Sequence, residues 1–146
     1  MDVTEFYKCK LEKVVDGDTV RLEWIQLGFD VFLHNQIVRL YGIDTPESRT
    51  SNLEEKKYGL LAKQRLTELL DTDNLILNIH LDESRGKFGR ILGTFIVDGI
   101  NINEKLVSEG HAVEYYGQSK ELVQEQHLKN RLIIDEKIQN STQSDY

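Results

Sequence analysis

The run Val15-Asp16-Gly17-Asp18-Thr19-Val20 constrains the fold of this chain more than any other feature. Residues 5 to 15 and 19 to 25 on either side are rich in Val, Leu, Phe, Tyr and Trp, so both read as strands. Asp16-Gly17-Asp18 between them is a strong hairpin signal, because tight turns need backbone angles that Gly and Asp tolerate. A chain that opens this way must build a sheet. Ile37 to Ile43, Leu75 to Leu81 and Arg90 to Val97 read as further strands, the last closed by Asp98-Gly99.

Helices interrupt and follow these strands. Leu53 to Leu70 carries a broad apolar stripe (Leu53, Tyr58, Leu61, Leu66, Leu69, Leu70) opposite Lys and Glu. Asn103 is expected to cap a short helix running to Glu109, with Gly110 just past its end. Lys120 to Ile138 reads as a charged third helix with Leu122, Leu128, Leu132 and Ile133 facing inward. Five short strands, with a helix between the third and fourth and more helices after, suit an α+β fold: a five-stranded OB-type β-barrel with about three helices. The pattern alone admits other α+β folds. A single domain over residues 1 to 138 and a flexible C-terminal tail over residues 139 to 146 are expected.

The 146-residue length is enough to bury a core without disulfides or a structural metal. Cys9 is the single cysteine, which excludes an intramolecular disulfide and suits a half-buried strand position in a reducing compartment. The N-terminus lacks an apolar leader, and no run approaches transmembrane length, so an intracellular protein that does not enter membranes is expected. Oligomeric state is left open. The formal net charge of −7 is unusual for a chain that would grip polyanions. The acidity lies mainly in the ends: residues 31 to 100 carry 10 acidic and 9 basic groups. There Arg39, Arg49, Lys56, Lys57, Arg85, Lys87 and Arg90 can frame a positive surface.

Four clusters carry chemistry: Asp16-Gly17-Asp18-Thr19, Arg39, Asp44-Thr45-Pro46-Glu47 and Lys87-Phe88-Gly89-Arg90. Asp18 and Asp44 can give oxygen ligands to Ca²⁺ or Mg²⁺. Glu47 is then free to act on water, and Arg39 and Arg90 present planar forks suited to phosphate oxygens. Taken singly, each cluster has a plainer reading as a turn, a helix start or a solvated strand residue. His34, His80, His111 and His127 share no ligand spacing and are assigned to packing or surface. Tyr115 and Tyr116 could stack on a base or pack in the core.

The order and spacing of these pieces resemble the staphylococcal nuclease (thermonuclease) family of Ca²⁺-dependent nucleases. The resemblance runs from about Lys10 to Ala112 and also takes in Val38-Arg39-Leu40-Tyr41-Gly42-Ile43, Lys57-Tyr58-Gly59 and Val107-Ser108-Glu109-Gly110-His111-Ala112. It implies the OB-type barrel and a Ca²⁺ cofactor held by Asp18, Asp44 and the backbone carbonyl of Thr45. It further implies Glu47 as general base and Arg39 and Arg90 on the scissile phosphate, with Lys87, Phe88 and Tyr116 as substrate-binding residues. The implied reaction is sugar-nonspecific hydrolysis of DNA and RNA to 3′-phosphates and 5′-hydroxyls. A catalytically silent module binding nucleic acid or protein on the same barrel is the rival expectation. Two departures stand out. Phe88 replaces a tyrosine common in the family, and Gln26 to Asn35 is longer than the usual connection. Its apolar residues could extend the hairpin, cover the barrel end or form a partner surface, and internal packing is the favoured expectation.

Overall fold

The computed structural model describes residues 4–80 and 89–144. β1 (Thr4–Asp16) and β2 (Thr19–Gly28) pair as the expected hairpin, Asp16 opposite Thr19. β3 (Val31–Leu40) returns antiparallel to β2, so the third strand starts six residues before Ile37 and ends before Ile43. Gly42, at φ 76°, turns the chain into the two-residue β4 (Ile43–Asp44), a left-handed geometry that favours glycine. β5 (Leu75–His80) and β6 (Ile91–Val97) follow α1 (Leu53–Leu69).

Backbone pairing runs β3-β2-β1-β5-β6, and a parallel β3–β6 pairing closes the circle into a five-stranded barrel. Closure removes the open edges that a flat sheet would leave. The expected α+β barrel of OB type is thus the observed fold. Alternation along the strands points Val20, Leu22, Val38, Leu40, Leu77 and Phe95 into the buried interior. Cys9 on β1 is buried, and burial pushes its thiol pKa up to about 12.

Gln26 to Asn35 lengthens the β2–β3 hairpin, and of its apolar residues Leu33 packs against the core. Phe29 at its tip is 98% exposed, and Leu27 and Val31 are also exposed. The two strands satisfy one another's backbone there, and Trp24 meets Phe32 edge-on at 5.3 Å. Among the described residues, none covers Phe29 at the tip of the extension.

α1 starts at Asn52, whose side chain accepts from the Glu54 and Glu55 amides. Its buried face is Tyr58, Gly59, Ala62 and Leu66, while Leu53 in the first turn is exposed. β7 (Ile100–Asn101) pairs with the end of β6 and leads into α2 (Ile102–Ser108). The cap of α2 is Asn101, not Asn103. Asn103 is buried and spends its side chain on the barrel. Its Oδ1 accepts from the Phe95 amide at 3.2 Å, and its Nδ2 donates to the carbonyls of Tyr41 (2.9 Å) and Gly93 (3.1 Å).

β8 (Val113–Glu114) pairs antiparallel with β4, setting Asp44 opposite Val113. α3 (Lys120–Ser144) continues past the expected end at Ile138. Its inward residues are His127 and Ile134. Leu122, Leu128, Leu132 and Ile133 are exposed, contrary to expectation. Polar contacts set its rotation: Tyr58 Oη donates to Asp135 at 2.8 Å, and Asn130 Nδ2 donates to the Ala112 carbonyl at 3.1 Å.

Candidate active site

Asp18 ends the first turn, where the hairpin folds its carboxylate inward until the residue is only 8% exposed. A buried carboxylate needs partners. Thr19 Oγ1 donates to Oδ1 at 3.0 Å, the Thr45 amide donates to Oδ2 at 3.2 Å, and Arg39 Nη1 lies 2.9 Å from Oδ2. The Thr45 contact ties the hairpin turn to the loop after β4.

Arg39, near the end of β3, reaches both carboxylates. Its Nη2 donates to the Ile43 carbonyl at 3.2 Å and lies 3.5 Å from Asp44 Oδ1. One guanidinium therefore spans Asp18 and Asp44. The parallel barrel closure places Arg39 opposite Leu92, two residues after Arg90. The neighbourhood is felt electrostatically: burial first, then the Arg39 charge, lower the Arg90 pKa from its ordinary value, and Asp18 opposes them. Arg39 and Arg90 line one groove of about 520 Å³ together with Tyr115 and Tyr116. Tyr116 is 70% exposed and Tyr115 is also exposed, which places both rings on the groove and not in the core. Tyr116 packs over the Gly42 turn and meets Tyr41 edge-on at 6.2 Å.

Glu47 is exposed on the loop after Thr45, and its main chain is clamped from two sides. Asp16 Oδ1 accepts the Ser48 amide at 3.1 Å. Gly59 on α1 lies so close that a β-carbon there would collide with the Glu47 carbonyl and sit 2.7 Å from Ser48 N. Lys87 and Phe88, with Arg85, lie outside the described residues.

Three contributors were not assigned to the site from sequence. Asp16 reads as a turn residue, though it holds the Glu47 loop. Gly59 carried a signal, since a glycine inside a helix often marks close backbone approach. His127 carried none: assigned to packing or surface, it is buried on α3 with Nε2 2.8 Å from Asp44 Oδ2.

The charged oxygen donors gathered here are Asp18 and Asp44. Asp18 and Asp44 already converge on one positive group, the Arg39 fork. Among the described residues no three His, Cys, Asp or Glu side chains cluster as a complete ligand set. A cation here would need carbonyl and solvent oxygens beside the two carboxylates, the mixed oxygen shell that Ca²⁺ accepts.

Known proteins share this sequence pattern. The chain is 33% identical over 108 residues to the SPbeta prophage-derived endonuclease YokF of Bacillus subtilis, covering 74% of this chain and 34% of that protein. It is 34% identical over 102 residues to Endonuclease YncB of the same organism, covering 70% of this chain and 45% of that protein. A probable staphylococcal-like nuclease, CAN1 of Oryza sativa subsp. japonica, is 33% identical over 97 residues, 65% of this chain and 27% of that protein. The chain thus spans less than half the length of these curated relatives. The family model described as staphylococcal nuclease homologue matches residues 37–139, from the closing strand of the barrel through most of α3. With that match over most of its length, and with the closed barrel it folds into, this chain belongs to the staphylococcal nuclease homologue family.

Proposed function

We propose that this chain is a phosphodiesterase that hydrolyses DNA and RNA without regard to the sugar, leaving 3′-phosphates and 5′-hydroxyls, with Ca²⁺ as cofactor. The observation that carries the reading is the shared Arg39. Spanning Asp18 and Asp44, it joins two carboxylates to the groove that it lines together with Arg90. Relatives named as endonucleases support the same reaction class.

Asp18, Asp44 and the Thr45 carbonyl would hold the Ca²⁺, which when bound would neutralise a non-bridging phosphate oxygen. The chain's own residues do the rest. Arg39 and Arg90 orient the phosphate and stabilise the charge that builds as five oxygens crowd the phosphorus. Partial burial strengthens both, because little water competes. Glu47 takes a proton from water as the new oxygen–phosphorus bond forms opposite the 5′-oxygen. The phosphorus to 5′-oxygen bond breaks, and the departing alkoxide takes a proton from solvent. Tyr115 and Tyr116 offer exposed ring faces on which a base can stack without regard to its identity. This fits an enzyme that does not read sequence.

Two measurements test this. Digestion of a labelled oligonucleotide should yield fragments whose 3′ ends lose a phosphate to phosphatase; fragments ending in 3′-hydroxyl would contradict the proposed bond cleavage. Glu47→Gln should fold, bind oligonucleotide and cut at least ~100-fold more slowly, the range expected for removing a general base. Near-normal cutting by the folded variant would remove Glu47 from that role.

A further inference from the structure

Asp44 is gripped on both oxygens by residues from different parts of the chain. Arg39 Nη2 lies 3.5 Å from Oδ1, and His127 Nε2, 83 residues along the chain, lies 2.8 Å from Oδ2. A carboxylate at that distance can only accept, so Nε2 carries the hydrogen. The His127 contact is the shorter of the two. Its residue is 7% exposed, which fixes the ring in place.

The two grips act in opposite senses. The Arg39 fork already approaches Asp18 at 2.9 Å, and a freely rotating Asp44 could turn both oxygens onto it as a bidentate pair. That would withdraw Asp44 from any cation. A hydrogen bond from His127 holds Oδ2 away from that fork, so that Arg39 meets Asp44 through Oδ1 alone. α3 can exert this hold because it is itself anchored: Tyr58 of α1 binds Asp135, and Asn130 binds the carbonyl of Ala112, next to the strand that pairs with β4.

From this geometry we infer that His127 is a positioning residue for the cation site, orienting Asp44 through Oδ2 and making α3 part of the catalytic apparatus. The inference rests on the Ca²⁺ reading above. It gives the C-terminal helix a task that its weak apolar patterning does not suggest.

The test compares wild type, His127→Leu, His127→Gln and His127→Asn in the full chain. Ca²⁺ affinity is measured by calorimetry, folding by circular dichroism and urea unfolding, and kcat and KM on a short oligonucleotide. A glutamine amide can reach the place of Nε2, whereas that of asparagine falls short by a carbon. His127→Leu is expected to stay folded and bind Ca²⁺ on the order of 10- to 100-fold more weakly, the usual cost of losing such a supporting contact. His127→Gln should recover most of the affinity and turnover. Wild-type Ca²⁺ affinity in folded His127→Leu would overturn the inference while leaving the cofactor reading intact. Should the leucine variant fail to fold, equal affinities for the glutamine and asparagine variants would overturn it instead. No Ca²⁺ binding by wild type would overturn the cofactor reading and this inference with it.

Discussion

Arg39 Nη1 stands 2.9 Å from Asp18 Oδ2, with the two side chains 15% and 12% exposed. The pair ties the end of β3 to the turn before β2, so the barrel closure and the site share a contact. Its consequence for substitution is direct. Lysine keeps the charge but cannot span Asp18, Asp44 and the Ile43 carbonyl at once.

Arg39→Lys should therefore lose turnover by on the order of 100-fold or more, as expected for removing a fixed donor to developing charge. Far-UV circular dichroism should remain that of wild type. Wild-type turnover in a folded variant would show that a point charge suffices.

Gly59→Ala tests the clamp on the Glu47 loop. The new methyl would meet the Glu47 carbonyl and Ser48 N head-on, and neither is a side chain that can swing aside. A loss of about 1–3 kcal/mol is expected from urea unfolding, with turnover falling as the loop shifts. Unchanged stability and turnover would show that the loop and α1 separate at little cost.

Asn103→Ala would remove the side-chain partners of the Phe95 amide and the Tyr41 carbonyl, while the Gly93 carbonyl keeps the Tyr41 amide at 2.8 Å. Each unmet group costs about 1–3 kcal/mol. The variant should lose several kcal/mol of stability by urea unfolding. A loss below about 1 kcal/mol would mean that these groups find other partners.

Acid stability should depend on Glu109. Hydrogen bonds from Arg65 at 2.6 and 2.9 Å hold its carboxyl below the usual pKa of 4.5; burial opposes this, and the charges of Arg65 and Lys105 reinforce it. Because the folded pKa is depressed, this stabilisation is fully present above the unfolded value and is lost as pH falls through the folded one. Urea unfolding from about pH 7 down to about pH 3 should show wild type losing more stability than Glu109→Gln below that unfolded value. Parallel curves would show that the Arg65 pair does not set the acid limb.

Much of the candidate site's geometry was legible because its residues sit at strand ends and turns, where short-range patterns fix the backbone. Asp18 follows Gly17 in a hairpin turn, and Asp44 at the end of β4 and Glu47 just past it bracket Thr45-Pro46. The barrel places Asp18, Arg39, Asp44 and Arg90 at one mouth. What escaped depended on contacts across long separations. Asn103 looks like a helix cap by local chemistry, yet the barrel draws its amide inward while Asn101 caps the helix. His127 meets Asp44 only because α3 lies across β8. That helix carries apolar residues on several sides, so periodicity could not choose its inner face. Tyr58, Ala112 and Asp44 chose it, through partners that no local window contains.

The most direct test of the account is plasmid digestion with Ca²⁺ and with chelator, run beside Glu47→Gln. The account predicts that wild type nicks and then fragments the plasmid in Ca²⁺, that chelator stops it, and that Glu47→Gln leaves the plasmid almost intact over the same interval. An intact plasmid in Ca²⁺ with wild type, or undiminished cutting in chelator, would contradict it.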